Sequence, residues 1–156
     1  MVRKLFILRH GEAESGRNST DINRPLTDQG KKDVLETGVK VNHEGVRFDV
    51  VLCSTARRTR ETASLFLESF TKAPEVTFQE ELYNAPLDQV QRSIMGIPND
   101  YKSVALIGHN PSVSSLATYL LNGQFISLSP GQLIAFDLSI EDWNDLYKGC
   151  GSLIEI

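Results

Sequence analysis

The chain of 156 residues contains only two cysteines, Cys53 and Cys150. A pair is too few for a disulfide framework and reads as reduced thiols of a cytoplasmic protein. Long apolar runs are equally scarce. The longest fall far short of a bilayer span, so no membrane segment is expected. At the start, Arg3 and Lys4 precede only Leu5 to Leu8, too short a stretch for a secretory signal. Excess charge is missing too. A formal net charge of -4 argues against a chain built to coat nucleic acid, and any anion site must come from a local cluster of basic groups. Repeats and low-complexity segments are absent, and the single tryptophan, Trp143, leaves the aromatic residues at helix-face and strand positions, where they read as core and not as a base-stacking platform.

What remains is ordinary globular material, 40% apolar and 23% charged, enough for one domain spanning residues 1–156. The apolar run that starts near Val2 and centres on Leu5-Phe6-Ile7-Leu8 reads as a strand buried on both faces, and it stops at Arg9-His10-Gly11. A core strand cannot continue through a guanidinium and an imidazole without burying charge, so it opens to solvent there. The polar residues 11–26 form a surface loop. A helix is expected over 27–42, capped by Thr27, and a second strand over 48–53. Ser54 then opens a long helix with Ala63, Phe66, Leu67 and Phe70 on one face. A short strand at 76–78 and a helix introduced by Pro86 follow, closed by Gly96 and Pro98. Residues 103–107 make another buried strand, followed by Gly108-His109-Asn110-Pro111, where Asn110 is placed to cap a helix and Pro111 to begin it. A turn at 129–131, a strand at 133–138, a helical turn within 140–147 and a last strand at 151–156 complete the chain. Strands alternating with helices predict a three-layer α/β/α sandwich around a mostly parallel sheet.

Three of these strands end in similar polar clusters: LFILRHG, VVLCSTARRTRETA and VALIGHNP. If they lie side by side and parallel, Arg9, His10, His109 and either Arg57 or Arg58 meet at one carboxyl edge, where open α/β sheets bind ligands. Guanidinium forks match phosphate oxygens, and a helix opening near Asn110 adds N–H donors. No metal is expected between His10 and His109, because flanking arginines repel a cation. Ser54 lacks a nucleophile elbow and reads as a cap or a phosphate hydrogen-bond donor. Arg24 either borders the pocket or pairs with a nearby carboxylate. Arg3, Arg57 and Arg60 are expected to be solvated, His43 to be a surface residue and Cys53 to be inert in its strand.

With R-H-G at Arg9 to Gly11, S-x-x-x-R at Ser54 to Arg58 and G-H-N at Gly108 to Asn110, each after a strand, the chain resembles the histidine phosphatase superfamily, which includes the cofactor-dependent phosphoglycerate mutases. The short length, R-P-L-T-x-x-G at Arg24 to Gly30 and G-H-N-P most resemble its SixA-type phosphohistidine phosphatase branch. The resemblance covers nearly the whole chain. It implies a phosphoglycerate mutase-like fold, His10 as the nucleophile that takes the phosphoryl group and passes it to water, and Arg9, Arg58 and His109 as the rest of the phosphate pocket. It selects Arg58 over Arg57 and calls for no cofactor. Gly11, Arg24, Ser54 and Asn110 are the residues expected to contact substrate. Many members also carry a mid-chain glutamate as proton donor; Glu81 lies in that region, with Glu80 and Glu12 as competitors.

Residues 64–103 leave no room for the large cap insertion of bigger members, so an open site that admits a phosphorylated protein or a small phosphorylated substrate is expected. A phosphohistidine protonated on its second nitrogen leaves as neutral imidazole, whose conjugate acid has pKa about 6.5, and needs little help from an acid. The reading is a metal-independent phosphatase acting on phosphohistidine or another phosphoramidate or phosphomonoester. Its alternatives are a phosphate-binding module without turnover and a small-metabolite phosphomonoesterase. The physiological partner and the oligomeric state stay open.

Overall fold

The computed structural model describes residues 3–156; Val2, counted above in the first apolar run, lies outside them. Six strands form one sheet in the order β3-β2-β4-β1-β5-β6. The strands are β1 (Arg3–Arg9), β2 (Val50–Ser54), β3 (Glu75–Gln79), β4 (Ser103–Gly108), β5 (Leu133–Leu138) and β6 (Gly151–Ile154). Pairings β3-β2, β2-β4 and β4-β1 are parallel, whereas β5 runs antiparallel to both β1 and β6. Only β5 is reversed, so the sheet is mixed but mostly parallel, and together with the flanking helices it forms the three-layer sandwich.

The layers follow from the continuous apolar runs. In a strand successive side chains face opposite ways. Leu5, Ile7, Leu52 and Leu106 therefore join one core cluster, with Val90 and Ile94 of α3 (Leu87–Met95) and Val113, Leu116 and Leu120 of α4 (Ser112–Leu120). Phe6, Leu8, Val51 and Cys53 face the other way. They pack with Val41 of α1 (Asp28–His43) and Ala63 and Phe66 of α2 (Arg57–Leu67). Phe66 is fully buried beside Phe48 and Phe70, with ring centroids 5.9 and 5.8 Å away. Truncating such a ring to alanine costs about 3–5 kcal/mol. Gly30 and Gly38 are what let α1 come so close. A Cβ on Gly38 would collide with the backbone of Phe66, and one on Gly30 with the backbone of Glu12. The second approach packs the loop after β1 against the start of α1.

Several local expectations are corrected. Ser54 does not open a helix: it is the last residue of β2, and α2 begins at Arg57 after Ala56 as N-cap. Asn110 does not cap α4, which starts at Ser112 with Pro111 as N-cap. The Asn110 side chain instead donates to the Leu128 carbonyl (3.1 Å) and accepts from Ser114 Oγ (2.6 Å). Arg3 is buried, not solvated. It donates to the carbonyls of Asn99 (3.1 Å), Tyr101 (2.9 Å) and Glu141, and its guanidinium lies 5.4 Å from the centre of the Trp143 ring. A strand-end arginine enters a core when carbonyls converge on its donors. The aromatic residues are not all core: Phe78, Phe125 and Tyr147 are exposed. The final strand ends at Ile154. Thr27 caps α1 as expected, accepting from the Gly30 N–H at 2.9 Å.

Candidate active site

Parallel register brings the three polar clusters together. Arg9 pairs with Gly108 and Cys53 with Ile107, so His10, Ser54 and His109 leave the same sheet edge from adjacent strands. The His10 N–H donates to the Gly108 carbonyl at 3.1 Å. From the α2 side, the Thr62 hydroxyl accepts from the Gly11 N–H at 3.2 Å and fixes the turn after the strand. The imidazoles of His10 and His109 meet edge to face with centroids 5.3 Å apart.

The two rings are held differently. His10 Nδ1 is 2.6 Å from the Gly11 carbonyl. A carbonyl can only accept, so in the neutral ring the proton sits on Nδ1 and the lone pair on Nε2. His109 Nε2 is 2.7 Å from Ser54 Oγ, while its buried Nδ1 has no partner among the described residues. Burial, chiefly, pushes the His10 pKa down to about 4, with Arg58, Arg9 and Arg24 adding to the fall and the Gly11 carbonyl opposing it. Burial likewise pushes His109 down to about 3, aided by His10 and Arg58 and opposed by Asp21. Both rings are neutral at pH 7.

Around them stand the arginines. Arg9 Nη1 donates to the Leu128 carbonyl (2.9 Å), and its Nε is buried without a partner among the described residues. Arg58, on the first turn of α2 and buried, donates to the Asp21 carbonyl (2.8 Å) and to Asp21 Oδ2 (3.3 Å). Arg57 points away into an ion pair with Glu61 at 3.1 Å. Arg24, expected either to border the pocket or to pair with a nearby carboxylate, pairs with Asp21 Oδ1 at 3.2 Å, and the same carboxylate receives Arg58. Arg60 stacks over Phe78 at 4.1 Å. Burial pushes the Cys53 thiol up to about 12, the condition of an unreactive cysteine.

Two residues at the site carried no signal in the sequence. Asp21 lies in a short 3₁₀ turn (Asp21–Asn23) of the polar loop, and its carboxylate receives Arg58, Arg24 and the Tyr83 hydroxyl. The tyrosine hydroxyl and the two arginines hold the Asp21 carboxyl down at about 2, so it is ionised at neutral pH. Tyr83 also sets its ring edge to face with His109 at 5.7 Å. Of the expected acids, Glu81 and Glu80 lie exposed on the preceding 3₁₀ turn (Glu80–Leu82) and make no side-chain hydrogen bond among the described residues. Glu12 accepts from the Thr27 hydroxyl at 2.8 Å, at the cap of α1. No cluster of three or more metal-ligating side chains is present among the described residues, and no helix is long and apolar enough to cross a membrane.

Two neutral imidazoles and two arginines thus stand together at the carboxyl edge of a mostly parallel sheet, where open α/β sheets bind ligands. The chain belongs to the histidine phosphatase superfamily, whose branch 1 profile matches residues 5–91. The Mycobacterium tuberculosis (strain ATCC 25618 / H37Rv) protein Rv1276c, itself uncharacterized, is 27% identical over 156 residues, covering 94% of this chain and 96% of that one. Among solved structures, a protein assigned as the phosphohistidine phosphatase SixA from Nakamurella multipartitia superposes with a TM-score of 0.87 at 25% identity, over 99% of this chain and 95% of that one. The protein histidine phosphatase SixA complexed with tungstate shares the fold with a TM-score of 0.82 at 23% identity, over 97% and 94% of the two chains. These likenesses support a phosphatase.

Proposed function

We propose that the protein hydrolyses phosphohistidine on a protein substrate in two in-line steps through phospho-His10. The observation that carries this reading is the His10 ring: the proton held on Nδ1 by the Gly11 carbonyl leaves the Nε2 lone pair free, and a pKa near 4 keeps it so at pH 7. In the first step Nε2 attacks phosphorus and the substrate imidazole departs. In the second, water attacks the phospho-imidazole and His10 leaves. Phosphoryl transfer has little covalent chemistry for a protein to perform beyond positioning and charge stabilisation. Arg9 and Arg58 supply that charge without a metal. The Ser54 hydroxyl, donating to His109 Nε2, places the His109 proton on Nδ1, which then donates to a phosphoryl oxygen.

The leaving group follows from the acid the site holds. Its carboxylate, Asp21, is ionised and engaged with Arg58, Arg24 and Tyr83. An alkoxide needs a proton delivered; a phosphohistidine protonated on its far nitrogen brings its own and leaves as neutral imidazole. This favours phosphoramidates over sugar and serine phosphates. The test is turnover of a phosphohistidine protein against a panel of sugar phosphates. A kcat/KM at least about a hundredfold higher for the phosphohistidine protein is expected; equal or higher values for a sugar phosphate would overturn the assignment.

A further inference from the structure

Beside the imidazole pair, not over it, runs a trough of about 540 Å³. Its walls are α4, the start of α3 at Leu87, and residues 123–127 of the connection to β5. Phe125 forms its crest and is 81% exposed, more than the other large apolar side chains that face solvent among the described residues. Phe78 is half covered by Arg60; Phe125 has no ring or cation partner among the described residues. Full exposure of a phenylalanine forfeits about 2–3 kcal/mol of burial, and such a side chain marks a surface that something else covers.

The crest is not a loose loop. The Ile126 N–H donates to Thr118 Oγ1 (2.9 Å) and the Leu128 N–H to Ser114 Oγ (2.9 Å), which pins the segment to α4 on both sides of Ser127. The same Leu128 carries the carbonyl that accepts Arg9 Nη1 and Asn110 Nδ2. The trough thus begins at Asn110, next in the chain to His109, and the Asn110 side chain shares the Leu128 carbonyl with Arg9. Beside Gly123 stands Lys148, which makes no ion pair among the described residues.

We propose that the trough is the docking subsite for the protein segment that carries the phosphorylated residue, taking apolar side chains that flank it and an acidic side chain against Lys148. The proposal rests on the phosphatase reading. Small-molecule sites enclose most of their ligand. Here the space between β3 and β4 holds only a 3₁₀ turn and the nine-residue α3, and a largely exposed Phe125 encloses nothing. A chain segment laid lengthwise, apolar face inward, suits such a surface.

The experiment compares wild type, Phe125→Ser and Lys148→Glu on three probes: a phosphohistidine peptide flanked by leucines and a glutamate, the same peptide flanked by serine and glycine, and free phosphoramidate. Wild type is expected to prefer the leucine and glutamate peptide by about tenfold in kcat/KM, and each substitution to remove most of that preference. Phosphoramidate turnover stays unchanged in both variants, which also reports that they are folded. Equal rates on the two peptides in wild type, or peptide rates indifferent to both substitutions, overturn the proposal. So does a strong preference for a long-chain alkyl phosphate that Phe125→Ser abolishes, which would give the trough to a metabolite. Failure of wild type to turn over phosphoramidate or either peptide would instead overturn the phosphatase reading on which it stands.

Discussion

Replacing Ser54 with alanine removes the one hydrogen bond made to the His109 ring among the described residues. Both residues are buried, so water does not readily substitute for the lost hydroxyl. An unsatisfied buried nitrogen costs roughly 1–3 kcal/mol, against a negligible cavity from the loss of one oxygen. At about 2 kcal/mol, a chain of this size melts about 4–8 °C lower. The catalytic effect is of similar size. Without the hydroxyl donating to Nε2, the His109 proton is no longer confined to Nδ1, and the ring can turn away from the phosphoryl oxygens; misplacement of a positioned group by about 1 Å costs on the order of a hundredfold. Steady-state turnover of a phosphohistidine peptide is therefore expected to fall about 10- to 100-fold in kcat, with His10 still phosphorylated. Nitrogen-detected NMR should show His109 change from a single Nδ1–H tautomer to a mixture. Undiminished kcat together with an unchanged tautomer would refute the idea that Ser54 sets the ring.

Three further outcomes are expected. Titrated by NMR, His10 should show a midpoint near pH 4, and not 6.5; because the unfolded chain takes up protons on His10 and His109 that the native fold excludes, stability should fall as the pH drops from about 6.5 toward 4. A His10 midpoint above 6 would contradict the burial argument. Asp21→Asn removes the negative charge that competes with phosphate at Arg58 and Arg24, worth about 1 kcal/mol at a half-exposed site, so inorganic phosphate should inhibit about fivefold more strongly while kcat on phosphohistidine changes less than about threefold. A loss of a hundredfold or more would make Asp21 a proton donor. Arg3→Met removes a buried guanidinium with its hydrogen bonds to the carbonyls of Asn99, Tyr101 and Glu141 and should cost roughly 1–3 kcal/mol, read by thermal melting, with kcat at 25 °C unchanged.

The parts of the molecule that the sequence discloses are those whose signal is local. Leu5 to Leu8, Val50 to Cys53 and Val104 to Ile107 are continuous apolar runs, and only a sheet covered on both faces uses such runs. Each ends in a polar cluster because charge cannot stay in that core, which is why Arg9, His10, His109 and either Arg57 or Arg58 group together; the family resemblance, not the strand ends, selects Arg58. Asp21 and Tyr83 were not legible. Their contacts to Arg58 and to each other span 37 and 62 residues, and neither stands in a periodic or punctuated segment. Glu81, the mid-chain carboxylate the resemblance points to, stands exposed two residues before Tyr83. Asn110 and Ser54 show the limit of local rules: both are favoured cap residues, yet each spends its side chain on a distant group, Leu128 in one case and His109 in the other. Arg3 fails the same way, since the carbonyls that draw it inward belong to the segments at 99–101 and 141.

The central claim is a covalent phosphoryl group on His10. Rapid mixing with a phosphohistidine peptide, alkaline quench and peptide mass analysis should find one phosphoryl group on the fragment holding Arg9-His10-Gly11. It should be acid-labile, appear within one turnover and be absent from His10→Ala, which should not turn over the peptide. Full turnover by His10→Ala, or label on any other residue at the rate of turnover, would contradict the account.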